Sequence, residues 1–150
     1  MTEQVLDDED LALASQIQLD SIYLKSCNIE RRATGTGFQA GRATAAIGIR
    51  YEQEGDRLSY ELSSRYEFWD DEESELADVR VAFTANYSLP TSRELSEALV
   101  DRFGQAVVFQ TAPFQREFLA TMTNRMAIPS FYLPLIRETD LSYEEEGAPS

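Results

Sequence analysis

Three successive stretches of alternating apolar and polar residues constrain the fold of this chain more than any other feature. Their apolar residues are Ala45, Ile47, Ile49 and Tyr51, then Leu58, Tyr60, Leu62, Tyr66 and Phe68, and finally Val79, Val81, Phe83, Ala85 and Tyr87. A period of two is typical of a strand with one buried face. The connections are short, a Glu54-Gly55-Asp56 turn and an acidic segment over 70–75. The pattern therefore predicts an antiparallel meander with one face in water.

A helix is predicted directly after the third stretch. Thr91, with Glu94 three residues later, has the spacing of a capping box and predicts a helix from Ser92 to Phe103. Leu95, Leu99 and Phe103 would form its buried stripe. Gly104 marks the predicted end, and 107–109 is interpreted as a short connector.

A second helix is predicted from Pro113, because a proline suits the first helical turn. Phe114, Phe118, Leu119, Met122 and Met126 fall on one stripe, while Gln115, Arg116, Thr123 and Asn124 fall elsewhere. Pro129 ends the pattern. The segment 130–136 is apolar and is predicted to be extended, but prolines 129 and 134 exclude a central strand.

Composition excludes several classes of function. The formal net charge is −14 in 150 residues, which disfavours both nucleic acid and an anionic membrane surface as partners. Histidine is absent, so Ser-His or Cys-His nucleophile pairs and histidine metal sites are excluded. The single cysteine, Cys27, favours a reducing compartment. No stretch is apolar enough for a signal peptide or a membrane span, so a cytoplasmic protein is expected.

Neither a catalytic residue nor a cofactor or metal site is predicted. The 31–42 segment holds a Gly-x-Gly at Gly35 and Gly37, but no helix follows it as a phosphate loop requires. The acidic run 70–73 lacks the ligand spacing of a calcium loop. We expect one domain over 1–150, with mobile acidic ends at about 1–10 and 138–150.

Two groups of residues resemble the SecB family of protein-export chaperones. The C-terminal group is Arg116-Glu117, Arg125, Ile128-Pro129 and Leu133-Pro134, and the N-terminal group is Gln16-Ile17-Gln18 with Ile22-Tyr23-Leu24-Lys25. The resemblance covers about a third of the chain. It implies that Leu19 to Glu30 form a first strand, although the apolar residues there fit neither period.

The resemblance implies an α+β fold, with a four-stranded antiparallel sheet and two helices packed on one face. It further implies an ATP-independent holdase that binds unfolded polypeptides, assembled as a homotetramer, a dimer of dimers. The family's client groove lies between the long helix and the loop joining the first two strands. The client-binding candidates on this basis are Phe38, Phe114, Phe118, Met122, Phe131, Tyr132 and Leu133.

In the same family, acidic residues on the outer sheet face contact the translocase motor ATPase. The candidates here are Glu30, Glu61 and Glu67, but Ser26 stands where that strand usually has an acid, which weakens the implied export role. Other family members protect an antitoxin. Two different classes stay open: a small enzyme or ligand-binding domain with a pocket between sheet and helices, and an acidic inhibitor that mimics nucleic acid.

Overall fold

The structure, a computed structural model, describes residues 6–130 as a four-stranded antiparallel sheet with two helices. The elements in chain order are α1 (Asp8–Ala14), β1 (Gln18–Arg31), β2 (Ala40–Glu54), β3 (Arg57–Asp70), β4 (Glu75–Ser88) and α2 (Glu97–Arg125). The order across the sheet is β1-β4-β3-β2. The meander predicted from the alternating stretches is thus confirmed, as is the first strand that extends it.

Alternation produces a two-faced sheet at its centre. The inward residues of β3 pair across with those of β4, for example Tyr60 with Ala85 and Leu62 with Phe83, and all four are at most 5% exposed. Side chains between them, such as Glu61 and Arg65, point to the opposite face. We call the two sides the helix face and the outer face.

Both helices lie on the helix face, so the predicted α+β fold class is confirmed. The Tyr60 hydroxyl donates a hydrogen bond of 2.8 Å to the Val100 carbonyl of α2. The ring of Phe103 packs against Tyr87 at 4.9 Å between centroids. Helix α1 adds Leu13 and Ala14 at the edge of the same apolar cluster. Helix α1 begins at Asp8, within the acidic end over 1–10.

The two C-terminal helices predicted from the sequence are one continuous helix of 29 residues, so that prediction is wrong. Gly104 lies inside it, where a Cβ would be 3.5 Å from both Ile49 and Tyr60. The 107–109 connector is also helical, and Val107 and Val108 are buried. A glycine inside a helix costs only about 1 kcal/mol, and this much tertiary burial exceeds that penalty. Pro113 lies in the helix interior and leaves the carbonyl four residues earlier without its usual donor.

The start of α2 also differs from the prediction. The N-cap is Ser96, whose hydroxyl accepts from the Leu99 amide at 3.2 Å. Thr91 instead closes a local turn by accepting from the Arg93 amide. The capping-box spacing therefore selected the wrong residue, because a Ser or Thr hydroxyl caps turns as readily as helices.

The sequence predicted that the helix ends before Pro129, and α2 ends at Arg125. Ala127 has a φ of 52°, and the Ile128 amide donates back to the Thr123 carbonyl at 3.2 Å. The Ala127 amide donates to the Asn124 carbonyl, which completes a Schellman motif.

The connection between β1 and β2 crosses the whole sheet, because these strands lie at opposite edges. It spans 32–39, slightly shorter than the predicted 31–42 loop. Its start is fixed by the amides of Arg32 and Ala33, which both donate to the Leu76 carbonyl of β4.

We predict that Gly41→Ala destabilises the protein and that Gly48→Ala in the same strand does not. A Cβ at position 41 would lie 1.9 Å from the Asp70 carbonyl oxygen, whereas at Gly48 the nearest atom is 3.9 Å away. Relieving the first clash must move the β2–β3 backbone, which we expect to cost about 1–3 kcal/mol. Thermal melts of both variants test this, and equal melting temperatures would contradict it.

Candidate functional site

An apolar strip runs along one side of α2, next to β4. Phe114, Phe118 and Met122 follow each other at intervals of four residues, so their side chains stack along one flank. Phe114 is 42% exposed, and the other two are half-buried. The Phe118 ring packs edge-on against Phe83 of β4 at 6.2 Å. Three predicted client-binding residues thus lie side by side, partly open to solvent.

Strand β1 carries further apolar residues beside the part of β4 on which Phe118 packs. Leu24 pairs with Phe83 and is 43% exposed, while Ile22 pairs with Ala85 and is half-buried. We call Ile22, Leu24, Phe114, Phe118 and Met122 the apolar flank. Sequence reasoning missed the two β1 residues, because it could not tell that β1 is an edge strand. Their failure to fit either period was the available signal.

The crossing loop closes one end of the apolar flank. The Arg31 Nε donates a 2.7 Å hydrogen bond to the Met126 carbonyl at the end of α2. Its guanidinium also donates to the carbonyls of Ala33 and Gly35 in the loop, and it lies 5.9 Å from the Phe38 ring centroid. Phe38 is half-buried and packs against the same apolar cluster as Phe118 and Met126. The structure therefore brings this predicted residue to the same end of the site.

The other predicted client-binding residues, Phe131, Tyr132 and Leu133, lie outside the described residues. So do the extended segment over 131–136 and the acidic end over 138–150.

A polar layer divides the core beneath α2 into two apolar clusters. Gln115 is fully buried, and its Oε1 accepts hydrogen bonds from Ser64 and Tyr66. Its Nε2 has no partner among residues 6–130. Leu62 belongs to the cluster on one side and Leu119 to that on the other. Gln115 and Thr123 were expected to lie off the buried stripe, and this is wrong: both are 0% exposed.

The burial of Thr123 has a simple cause: its hydroxyl donates 2.8 Å to the Leu119 carbonyl and so needs no partner outside the helix. The polar character of Gln115 and Thr123 therefore predicted the wrong orientation for both side chains, since both face the core.

The predicted partner-binding carboxylates lie on the outer face, and each forms an ion pair. Glu61 receives the Lys25 ammonium at 2.8 Å and the Arg50 guanidinium at 2.6 Å. Burial acts to raise the pKa of Glu61, but the hydrogen bonds from these two cations outweigh it and lower that pKa. Glu30 pairs with Arg32 at 3.1 Å.

Glu67 shares its cation with a neighbouring acid. It pairs with Arg65 at 3.2 Å, and Arg65 also contacts Asp78 at 3.0 Å. The hydrogen bond from Arg65 lowers the pKa of Asp78. The outer face is thus a surface of mixed charge rather than an acidic patch.

Residues 6–130 contain neither a cluster of metal ligands nor a membrane-spanning helix. In that range no group of three or more His, Cys, Asp or Glu side chains could hold a metal ion. None of the helices within it is long and apolar enough to cross a membrane.

The fold resembles a solved chaperone structure. That structure is the Mycobacterium tuberculosis Rv1957 SecB-like chaperone in complex with a ChAD peptide from the Rv1956 HigA1 antitoxin. The two chains superpose with a TM-score of 0.68 at 15% identity, covering 86% of this chain and 96% of that one. The likeness shows that the fold is SecB-like.

Other comparisons add little. A Streptococcus agalactiae protein of unknown function aligns with a TM-score of 0.41 at 9% identity, over 79% of this chain and 97% of that one. No protein-family model and no curated protein matches the sequence.

We predict that Asp is tolerated at Phe114 but not at Leu119, five residues further along α2. Leu119 is 1% exposed, so a carboxylate there would be buried without a partner, at a cost of several kcal/mol. That is a large part of a typical stability of about 5–15 kcal/mol. Phe114→Asp should lower the melting temperature by only about 2–4 °C, the shift for roughly 1 kcal/mol. Comparable collapse of both variants would show that Phe114 is an ordinary core residue.

Proposed function

We propose that the protein is an ATP-independent chaperone that holds non-native polypeptide on the apolar flank. The observation that carries this is the exposure of Phe114 on α2 and of Leu24 on β1, which pairs with the Phe83 on which Phe118 packs. Together they form an open apolar strip rather than an enclosed pocket. Phenylalanine and methionine accept partners of many shapes, because their contacts are broad and not directional. The SecB-like fold of a solved chaperone supports the proposal.

The packing of the helix face disfavours the alternative of a ligand pocket between sheet and helices. Three large side chains there, Tyr60, Tyr66 and Tyr87, are at most 2% exposed. Each hydroxyl is used within the protein, on Val100, Gln115 and Gln110 respectively. Burial raises the pKa of Tyr87 to about 12, which makes it a poor acid or base near neutral pH.

The client is proposed to be an aggregation-prone partner such as an antitoxin, held in the cytoplasm. The neighbouring structure contains an antitoxin peptide, which supports this class of client. A role in export through the translocase motor ATPase has less support. The three candidate acids Glu30, Glu61 and Glu67 already bind cations of the same chain.

We also propose that copies of the chain associate, as a dimer of dimers. The exposed apolar residues Leu11 and Leu19 lie on α1 and β1, outside the apolar flank, and give a second copy something to cover.

The proposed function predicts a holding activity. The protein should suppress aggregation of a thermally unfolding client without ATP, at a near-stoichiometric ratio, as measured by light scattering of the client. In the double variant Phe114→Asp, Leu24→Asp, the concentration needed to suppress aggregation should rise at least tenfold, because both changes place a charge on the contact surface.

Phe109→Asp is the matched control. Phe109 is 45% exposed, which is similar to the exposure of Phe114, but it lies about 140° away from Phe114 around the helix axis. Equal loss in the control and the double variant, or no suppression by the wild-type protein, would refute the proposal.

The proposed association of chains predicts the mass of the assembly. Light scattering with in-line chromatography should give a mass of about four chains at micromolar concentration, and Leu19→Asp should lower it. A wild-type monomer under these conditions would contradict the proposed oligomer without bearing on client holding.

A further inference from the structure

A shallow groove crosses the outer face at the middle of the sheet. Its floor is one row of small side chains in register across all four strands: Ser26, Ala82, Ser63 and Gly48. Because none of these reaches far from the backbone, the row leaves an open volume of about 530 Å3. Four neighbouring strands span about 14 Å, which is the length of about four extended residues. We call this the outer groove.

Longer side chains form its two walls. On one side the next row places Arg80 directly opposite Arg65, with Asn28 beside them on β1. On the other side stands Glu61, which is bound by Lys25 and Arg50. The groove thus has a chemistry unlike that of the apolar flank on the helix face, and it lies on the other side of the sheet.

The wall formed by Arg80 and Arg65 carries positive charge that the described protein does not fully neutralise. Like charges directly opposite each other across two strands are destabilising. Arg65 is held by Asp78 through two hydrogen bonds of 3.0 and 3.3 Å. Arg32 also approaches Asp78, at 3.6 Å. The charge of Arg80 also acts on Asp78 and helps to lower its pKa. Arg80 is exposed and forms no hydrogen bond or ion pair with residues 6–130, so its guanidinium can still donate to an incoming anion.

We propose that the outer groove binds a short, extended, acidic segment of a partner polypeptide. A carboxylate can pair with the Arg80 guanidinium in the bidentate geometry that arginine favours. The small floor leaves space for the segment's backbone, and the hydroxyls of Ser26 and Ser63 together with the Asn28 amide offer it polar partners. In an extended chain alternate side chains point the same way, so acids two residues apart both face the wall.

The overall charge of the protein sharpens this selection. At −14 the chain repels acidic polypeptides in general. Only a segment that places its carboxylates against the arginines of the outer groove gains enough to bind. The inference does not rest on the proposed chaperone function, because the two surfaces share no residue.

The test is fluorescence anisotropy with a labelled peptide, Gly-Asp-Ser-Asp-Gly-Ser, and its counterpart with Asn in place of both Asp residues. We expect the wild-type full-length protein to bind the acidic peptide and not the neutral one, with affinity falling as salt is raised. Arg80→Gln should weaken binding about tenfold, the loss of about 1.4 kcal/mol expected for one charge-assisted pair.

Two further variants separate charge from shape. Ser63→Trp should abolish binding, because the indole fills the floor of the outer groove while Arg80 stays in place. Arg102→Gln removes an exposed arginine from α2 on the helix face and should change nothing. Equal binding of both peptides, or unchanged affinity in both Arg80→Gln and Ser63→Trp, would overturn the proposal.

The chain's own acidic end is the competing occupant. If the full-length variant with Glu144, Glu145 and Glu146 all changed to Gln binds the peptide at least tenfold more tightly than wild type, that end fills the groove. The assignment to a partner would then be overturned. Unchanged affinity supports it. Client holding should be unaltered in Arg80→Gln, so failure of one proposal is distinguishable from failure of the other.

Discussion

The one long helix on the helix face, α2, is narrower than the four-stranded sheet beneath it. This difference in width decides which apolar residues of the edge strands stay exposed. A helix with its side chains is about 10–12 Å across, and strands lie about 4.8 Å apart, so α2 shields two strands well. Those two are β3 and β4, where inward residues such as Leu62 and Val79 are fully buried. The edge strands receive much less cover, which leaves Leu24 on β1 and Tyr51 on β2 about half exposed. The apolar flank is a direct result of this geometry.

The sequence pattern predicted the sheet better than the helices, for a physical reason. Alternation depends only on which side of a strand faces the core, so it survives in β2, β3 and β4 whatever packs above them. Helix boundaries were read from Gly104, Pro113 and Thr91, which are local signals. Packing overrode the first two, because a small residue at 104 lets the helix pass closely over Tyr60.

The candidate site could be predicted in part. Phe114, Phe118 and Met122 were found from their helical spacing, since the flank of a helix follows from its own sequence. Leu24 could not be found, because its exposure depends on the order of strands across the sheet. The outer groove was equally invisible: Ser26, Ser63 and Gly48 become neighbours only through the register of three strand pairs.

The polar layer at Gln115 separates two halves of α2 that pack on different apolar clusters. On the N-terminal side the helix is held by the buried side chains of Val100, Val107 and Val108. After Pro113, α2 has three fully buried residues, and two of them, Gln115 and Thr123, are polar. Burial of polar groups contributes less than burial of aliphatic ones, and Pro113 removes one of the backbone hydrogen bonds between the halves. The C-terminal half is therefore the part of α2 where we expect local opening to begin. Opening there would expose more of the apolar flank at a lower free-energy cost than global unfolding.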